Sequence, residues 1–122
     1  MKLFVDDIRN APDDSWKVAR TITDAISAID IFDFEVISLD HDISHQVTVG
    51  GTSRPYPCEE TFTPVAMFIK EKYKSPIFHH VKPKIIIHTA NPAGAVRMAG
   101  VLKDFDVERR ESGPVNRLEN EV

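Results

Sequence analysis

Three apolar runs in this chain each stop on chemically loaded side chains, and that shared ending restricts the fold more than any other feature. The runs are Leu3-Phe4-Val5-Asp6-Asp7, Val36-Ile37-Ser38-Leu39-Asp40-His41-Asp42 and Ile85-Ile86-Ile87-His88-Thr89-Ala90-Asn91. Short apolar runs are how the buried strands of a parallel sheet read. The ligands of open parallel sheets bind beyond the carboxyl ends of the strands. As strands of one sheet, the three runs would bring four carboxylates, two histidines, a threonine and an asparagine to one rim. Such a rim is an active site or a metal site.

The rest of the chain supports that sheet by alternating strand and helix signals. Lys2 to Val5 reads as the first strand. The connection after it, with Asn10, Pro12, Asp13 and Asp14, is rich in breakers and too short for a good helix. Lys17 to Thr21 reads as the second strand, with Trp16 and Val18 as apolar contacts. Thr23 is the expected N-cap of a helix whose stripe is Ile22, Ala25, Ile26 and Ile29. Glu35 to Leu39 is the third strand. From Asp42 to Glu60 no helical period is found, and Gly50-Gly51, Pro55 and Pro57 interrupt the segment. A structureless run of that length in a small domain is usually functional. Thr63-Pro64 then predicts a cap followed by a first-turn proline, opening a helix that turns Val65, Phe68, Ile69 and Tyr73 to the core. Lys84 to Ile87 is the fourth strand. Asn91-Pro92 caps a further helix with Ala95, Met98, Ala99 and Leu102 on one face, and Phe105 to Glu108 is the fifth strand. Ser112-Gly113-Pro114 closes it. The expectation is one α/β domain over residues 1–111, a three-layer sandwich on a parallel sheet, followed by a polar tail over 112–122.

Composition excludes some classes. At 122 residues and a net charge of −4, the chain lacks the basic balance of a duplex-DNA binder. A small phosphorylated ligand held by a cation and a few arginines stays compatible with it. No apolar stretch approaches the roughly 20 residues that span a bilayer. The single Cys58 suits a reducing compartment, and because Met1-Lys2-Leu3 runs straight into a strand no secretory leader is expected. A cytoplasmic protein without a membrane partner is expected.

Each loaded position has a chemical reading and a plainer one. Adjacent Asp6-Asp7 repel each other when buried, and a divalent cation removes the conflict; otherwise one caps the next turn and the other faces water. Asp40 adds a third carboxylate, and Asp42, two residues on in an extended segment, would share its side. These four are the candidate metal ligands, for Mg²⁺ or Mn²⁺. His41 and His88 are candidate ligands or general acid–base groups, since imidazole titrates near neutrality, with a satisfied structural histidine as the competing reading. Thr89 offers a hydroxyl to a phosphoryl oxygen. Asn91 caps the following helix, and the first-turn amides at Ala93 and Gly94 would suit an anion. Arg9 can clamp a phosphate or read equally as solvated surface; Arg54 and Arg97 are weaker candidates that read first as solvated surface. His45 is expected on the surface, and His79-His80 at the opposite end of the sheet.

Asp6-Asp7, Asp40 and Thr89-Ala90 after successive strands resemble the receiver domains of response regulators. In that family the acidic pair and the third aspartate bind Mg²⁺, the third aspartate accepts a phosphoryl group, and the threonine contacts it. The resemblance covers about residues 1–108. It implies a flavodoxin-like fold with a five-stranded parallel sheet of order 2-1-3-4-5, here with the first helix reduced or missing. The chain departs from the pattern in lacking Lys-Pro after the fifth strand, where Arg109 and Arg110 are the nearest basic residues, and in carrying His41 and His88. A closer resemblance is to the cyclic-phosphate-processing receiver domains, through Leu-Phe-Val-Asp-Asp-Ile-Arg at 3–9, Ser-Leu-Asp-His-Asp at 38–42 and His-Thr-Ala-Asn-Pro-Ala-Gly at 88–94. That resemblance implies metal-dependent hydrolysis of a cyclic phosphate on a nucleotide, an ADP-ribose derivative or an RNA end. Asp40, His41, His88 and Thr89 would then be catalytic, and Arg9, Arg54, Asn91 and Gly94 would bind substrate. Two other classes remain: a degenerate receiver that binds or signals, phosphorylated on Asp40 or not at all, and a haloacid-dehalogenase-type phosphatase. The latter is suggested by Asp40-His41-Asp42, although that family carries its Asp-x-Asp after the first strand.

Overall fold

Lys2–Val5 forms strand β1, and Trp16–Ala19 forms β2 beside it in parallel, with Lys2 opposite Trp16. The computed structural model describes the backbone of residues 1–43, 47–49, 52–54 and 61–111, and their side chains except at 47–49, 52–54, 78–80 and 111. Residues 6–15, joining the first two strands, hold no helix. Helix α1 (Ile22–Ile31) leads to β3 (Val36–Leu39), which pairs with the other side of β1. A hairpin follows, β4 (Val47–Val49) antiparallel to β5 (Thr52–Arg54), then helix α2 (Thr63–Tyr73) and a 3₁₀ helix (Pro76–Val81). Strand β6 (Lys84–Thr89) pairs with β3, helix α3 (Pro92–Val101) follows, and β7 (Val107–Glu111) pairs with β6. The main sheet therefore has the order β2-β1-β3-β6-β7. Counted along the chain within that sheet, this is the receiver order 2-1-3-4-5.

Alternation along the strands sorts the sheet into two unlike faces. Leu3, Val5, Ile37, Leu39, Ile85 and Ile87 share one apolar core with Ala25 and Ile29 of α1, Val65 and Ile69 of α2, and Met98 of α3. Each fully buried Leu, Ile, Val or Met among these contributes about 1.5–3 kcal/mol relative to exposure. Phe4, Ser38, Ile86 and His88 occupy the other face. Helices α1, α2 and α3 all contribute to the core on the first face. None of the helices is long and apolar enough to cross a membrane.

Local chemistry shifts several expected boundaries. Thr21, not Thr23, caps α1: its hydroxyl accepts from the Asp24 amide at 3.0 Å. Helix α2 has Phe62 at its N-cap and no side-chain cap, which places Thr63 inside the first turn beside Pro64. Asn91 does cap α3, accepting from the Gly94 amide. Strand β7 starts two residues later than expected, because the Phe105 amide folds back to the Leu102 carbonyl at 2.9 Å and closes a turn. It then runs through Glu108, Arg109 and Arg110, charged residues that an edge strand tolerates. The interval from Asp42 to Glu60 contains the β4–β5 hairpin. Its signal was Gly50-Gly51 between two short β-forming runs, a pair that favours hairpin turns. His45 and the tail from residue 112 lie outside the described residues, as do the side chains of Arg54, His79 and His80.

Candidate active site

The carboxyl ends of β1, β3 and β6 lie side by side, since Val5 is opposite Leu39 and Leu39 opposite Ile87. The loaded residues that follow each strand are thereby gathered onto one rim. Asp6, Asp40, His41, His88 and Thr89 are all buried, with Asp6 at 0% exposure.

Asp6 is the most heavily bonded group on the rim. Its Oδ1 accepts from the amides of Ile8 (3.0 Å) and Arg9 (2.9 Å), so the turn after β1 closes around the carboxylate. Its Oδ2 faces Arg9 Nη1 at 3.2 Å and His88 Nε2 at 3.0 Å. Burial alone would raise its pKa. The bonds from His88 and from the Arg9 and Ile8 amides together outweigh burial and hold Asp6 at about 2. Asp40 behaves oppositely. Burial and the neighbouring Asp6 charge push it up to about 6, against the pull of Arg9 and the His41 amide. Arg9 Nη1 reaches Asp40 Oδ2 at 3.3 Å, so one guanidinium spans both carboxylates.

Asp6, Asp7 and Asp40 each offer an oxygen within 4.8 Å of the others, a group of the kind that can hold a metal ion. The donor set fits a hard divalent cation: all oxygen, few in number, and one member, Asp40, with its pKa raised by burial and by the neighbouring Asp6 charge. Asp42 is not in this group. The chain turns after Asp40, with Asp42 bridged to Thr61 and the His41 carbonyl accepting from Phe62, so the expected shared side for Asp40 and Asp42 is lost. Asp42 Oδ1 is instead 2.6 Å from His41 Nδ1 and accepts from Asn91 Nδ2 at 3.2 Å. Asn91 Oδ1 takes the Gly94 amide at 3.0 Å, a donor that had been expected to serve an anion. A Cβ at position 94 would collide with the His41 ring, so only glycine lets α3 approach the imidazole.

His88 stands apart from solvent. Its ring stacks on Phe4 at 4.5 Å and 9°, and its Nδ1 lies 2.6 Å from Ser38 Oγ while Nε2 faces Asp6. Both ring nitrogens are thus engaged. Thr89 Oγ1 accepts from the Asn91 amide at 3.1 Å and the side chain lies at the mouth of a groove beside α3. Two contributors escaped the sequence reading. Ser38 could have been found as a polar residue within a buried apolar strand, which must have a partner. Arg20, whose Nη1 donates to the Asp6 carbonyl at 3.1 Å and to that of Arg9, pins the turn and had no sequence signal. Arg97 is exposed on α3, and no bond ties it to the rim among the described residues.

A parallel 2-1-3-4-5 sheet with an acidic cluster at the ends of its first and third strands defines a receiver-like α/β domain. No curated protein matches the chain. The family model of the cyclic-phosphate processing receiver domain, however, matches residues 1–104, and the chain belongs to that family.

Proposed function

We propose that the protein is a metal-dependent phosphoesterase that opens a cyclic phosphate on a nucleotide, an ADP-ribose derivative or an RNA end. The observation that carries this reading is the juxtaposition, on adjoining residues, of a metal-fitting carboxylate group with an imidazole held by its own carboxylate, Asp42. A receiver used only as a switch needs the first and has no use for the second. The family's association with cyclic-phosphate processing supports the same reading.

Asp6, Asp7 and Asp40 would hold the ion, Mg²⁺ or Mn²⁺. Bound there, such an ion neutralises charge on the phosphoryl oxygens and lowers the pKa of a coordinated water. The chain's own residues supply the rest. His41, fixed through Nδ1 by Asp42, presents Nε2 as the nitrogen that exchanges a proton, general acid–base work of about 10²–10⁴-fold. In the reaction a water oxygen bonds to phosphorus, one ring P–O bond breaks, and the departing alkoxide takes up a proton. The product is a phosphomonoester. Thr89 is the hydroxyl for a phosphoryl oxygen, and Arg9 the guanidinium that follows the negative charge. His88, with both nitrogens engaged, orients Asp6 and is a positioning residue. Asn91 and Gly94 likewise act through His41, by holding Asp42 and by admitting the ring.

The test is incubation with Mg²⁺ or Mn²⁺ and a panel of cyclic phosphates, followed by phosphorus NMR, with Asp40→Ala and His41→Ala alongside and acetyl phosphate labelling as a separate arm. Metal-dependent appearance of a monoester, lost in both variants, is the expected result. Absence of turnover together with stable phosphorylation of Asp40 would overturn the enzyme reading in favour of a receiver-type switch.

A further inference from the structure

Beyond Thr89 the rim opens into a groove of about 410 Å³ between α3 and β7. One wall is apolar, made by Pro92, Ala95 and Val96 of α3, with Val96 58% exposed. The other wall is β7, which carries Arg109 and Arg110. These two arginines differ by register. Arg109 pairs with Ile87 and so stands on the helix side of the sheet, toward the groove; Arg110 pairs with His88 and stands on the far side, where it bonds Glu108. Arg109 is exposed, and its guanidinium has no ion pair or hydrogen bond among the described residues.

We infer that this groove seats the base of a nucleoside phosphate whose phosphoryl group lies at the acidic rim, with Arg109 as a specificity-determining residue. The inference rests on the phosphoesterase reading and narrows it to cyclic phosphates whose base lies close enough to the phosphoryl group to enter this groove. Three observations carry it. The volume lies within the 300–1,000 Å³ of small-molecule sites. The groove shares Thr89 with the candidate active site, so one ligand can fill both. An apolar wall facing a planar guanidinium matches the two faces of a nucleobase, because arginine stacks on aromatic rings while keeping its charge solvated at the edge. A second copy of this chain or an extended peptide would also meet an apolar helix face, but neither has a use for continuity with Thr89.

The experiment compares a nucleoside 2′,3′-cyclic phosphate with a base-free five-membered cyclic phosphate by calorimetry in Mg²⁺, using wild type, Arg109→Ala and Val96→Glu. Wild type should bind the nucleoside compound at least about tenfold more tightly, the scale of a single stacking contact. Both variants should lose that preference while keeping the affinity for the base-free compound and the Mg²⁺-induced rise in melting temperature. Equal affinity of wild type for the two compounds overturns the inference and leaves the phosphoesterase reading standing. So does a preference that survives in both variants, or a change of oligomeric state in Val96→Glu with nucleotide affinity unaltered, which would assign the groove to a second copy. Binding of neither compound overturns the phosphoesterase reading and this inference with it.

Discussion

Asp6 and Asp40 share a guanidinium yet titrate on opposite sides of the ordinary carboxylate range, and their effects on stability have opposite signs. The folded chain holds the Asp40 proton more tightly than the unfolded chain, up to about 6. Its contribution therefore favours folding at low pH and is lost as pH rises from about 4 through 6, at up to about 1.4 kcal/mol per pH unit. Asp6, held at about 2, contributes stability above the unfolded value and loses it as pH falls toward 2. Metal-free protein is accordingly expected to melt at a lower temperature at pH 7 than at pH 5, a drop that Asp40→Asn should abolish in thermal scans. At position 94 steric exclusion dominates. Gly94→Ala is expected to displace His41, costing about 1–3 kcal/mol as an overpacking substitution, and to lower turnover by more than the stability loss explains. Chemical denaturation run beside the activity assay separates the two effects.

At the scale of elements, helix capping divides what is legible in sequence from what is not. Asn91-Pro92 was readable because cap, proline and apolar stripe agree in register. Thr21 and Thr23 both suit a cap, and only the backbone decides between them: Thr21 is extended at φ −131°, ψ 161°, the conformation a cap requires. Thr21→Ala should cost about 1 kcal/mol in denaturant unfolding, whereas Thr23→Ala should cost a few tenths at most. The strand ends were legible because apolar runs and loaded residues switch at one position. The β4–β5 hairpin was missed because three-residue strands give too few alternations to stand out against the surrounding glycines and prolines. Asp42 was misplaced for a related reason: alternation assumes an extended chain, and the bridge from Asp42 to Thr61 is a tertiary pairing across nineteen positions of sequence that no local pattern reports.

For the molecule as a whole, cation binding and folding are linked, since the acidic group assembles only when β1 and β3 pair. A ligand bound by the folded chain alone stabilises it by RT ln(1 + [L]/Kd), about 2.7 kcal/mol at a hundredfold excess over Kd. Melting temperature should rise with Mg²⁺ in the wild type and stay fixed in Asp6→Ala, as measured by calorimetry; an unchanged wild type would remove the metal assignment while leaving the fold intact. The bare connection from β1 to β2 has a different consequence, in kinetics. A strand joined to its neighbour without a crossover helix is paired along one edge only, through its ladder to β1, and is further held by the buried Ala19, the Phe4–Trp16 edge contact at 6.0 Å and the Arg20 bonds at its end. It can peel away while β1, β3 and β6 remain paired. Amide hydrogens of Lys17 and Val18 should then exchange with deuterium through local opening, ahead of those of Ile37 and Ile86, which wait for global unfolding. The same peeling frees the backbone that Arg20 pins beneath Asp6, so the active rim would breathe at the tempo of its outermost strand.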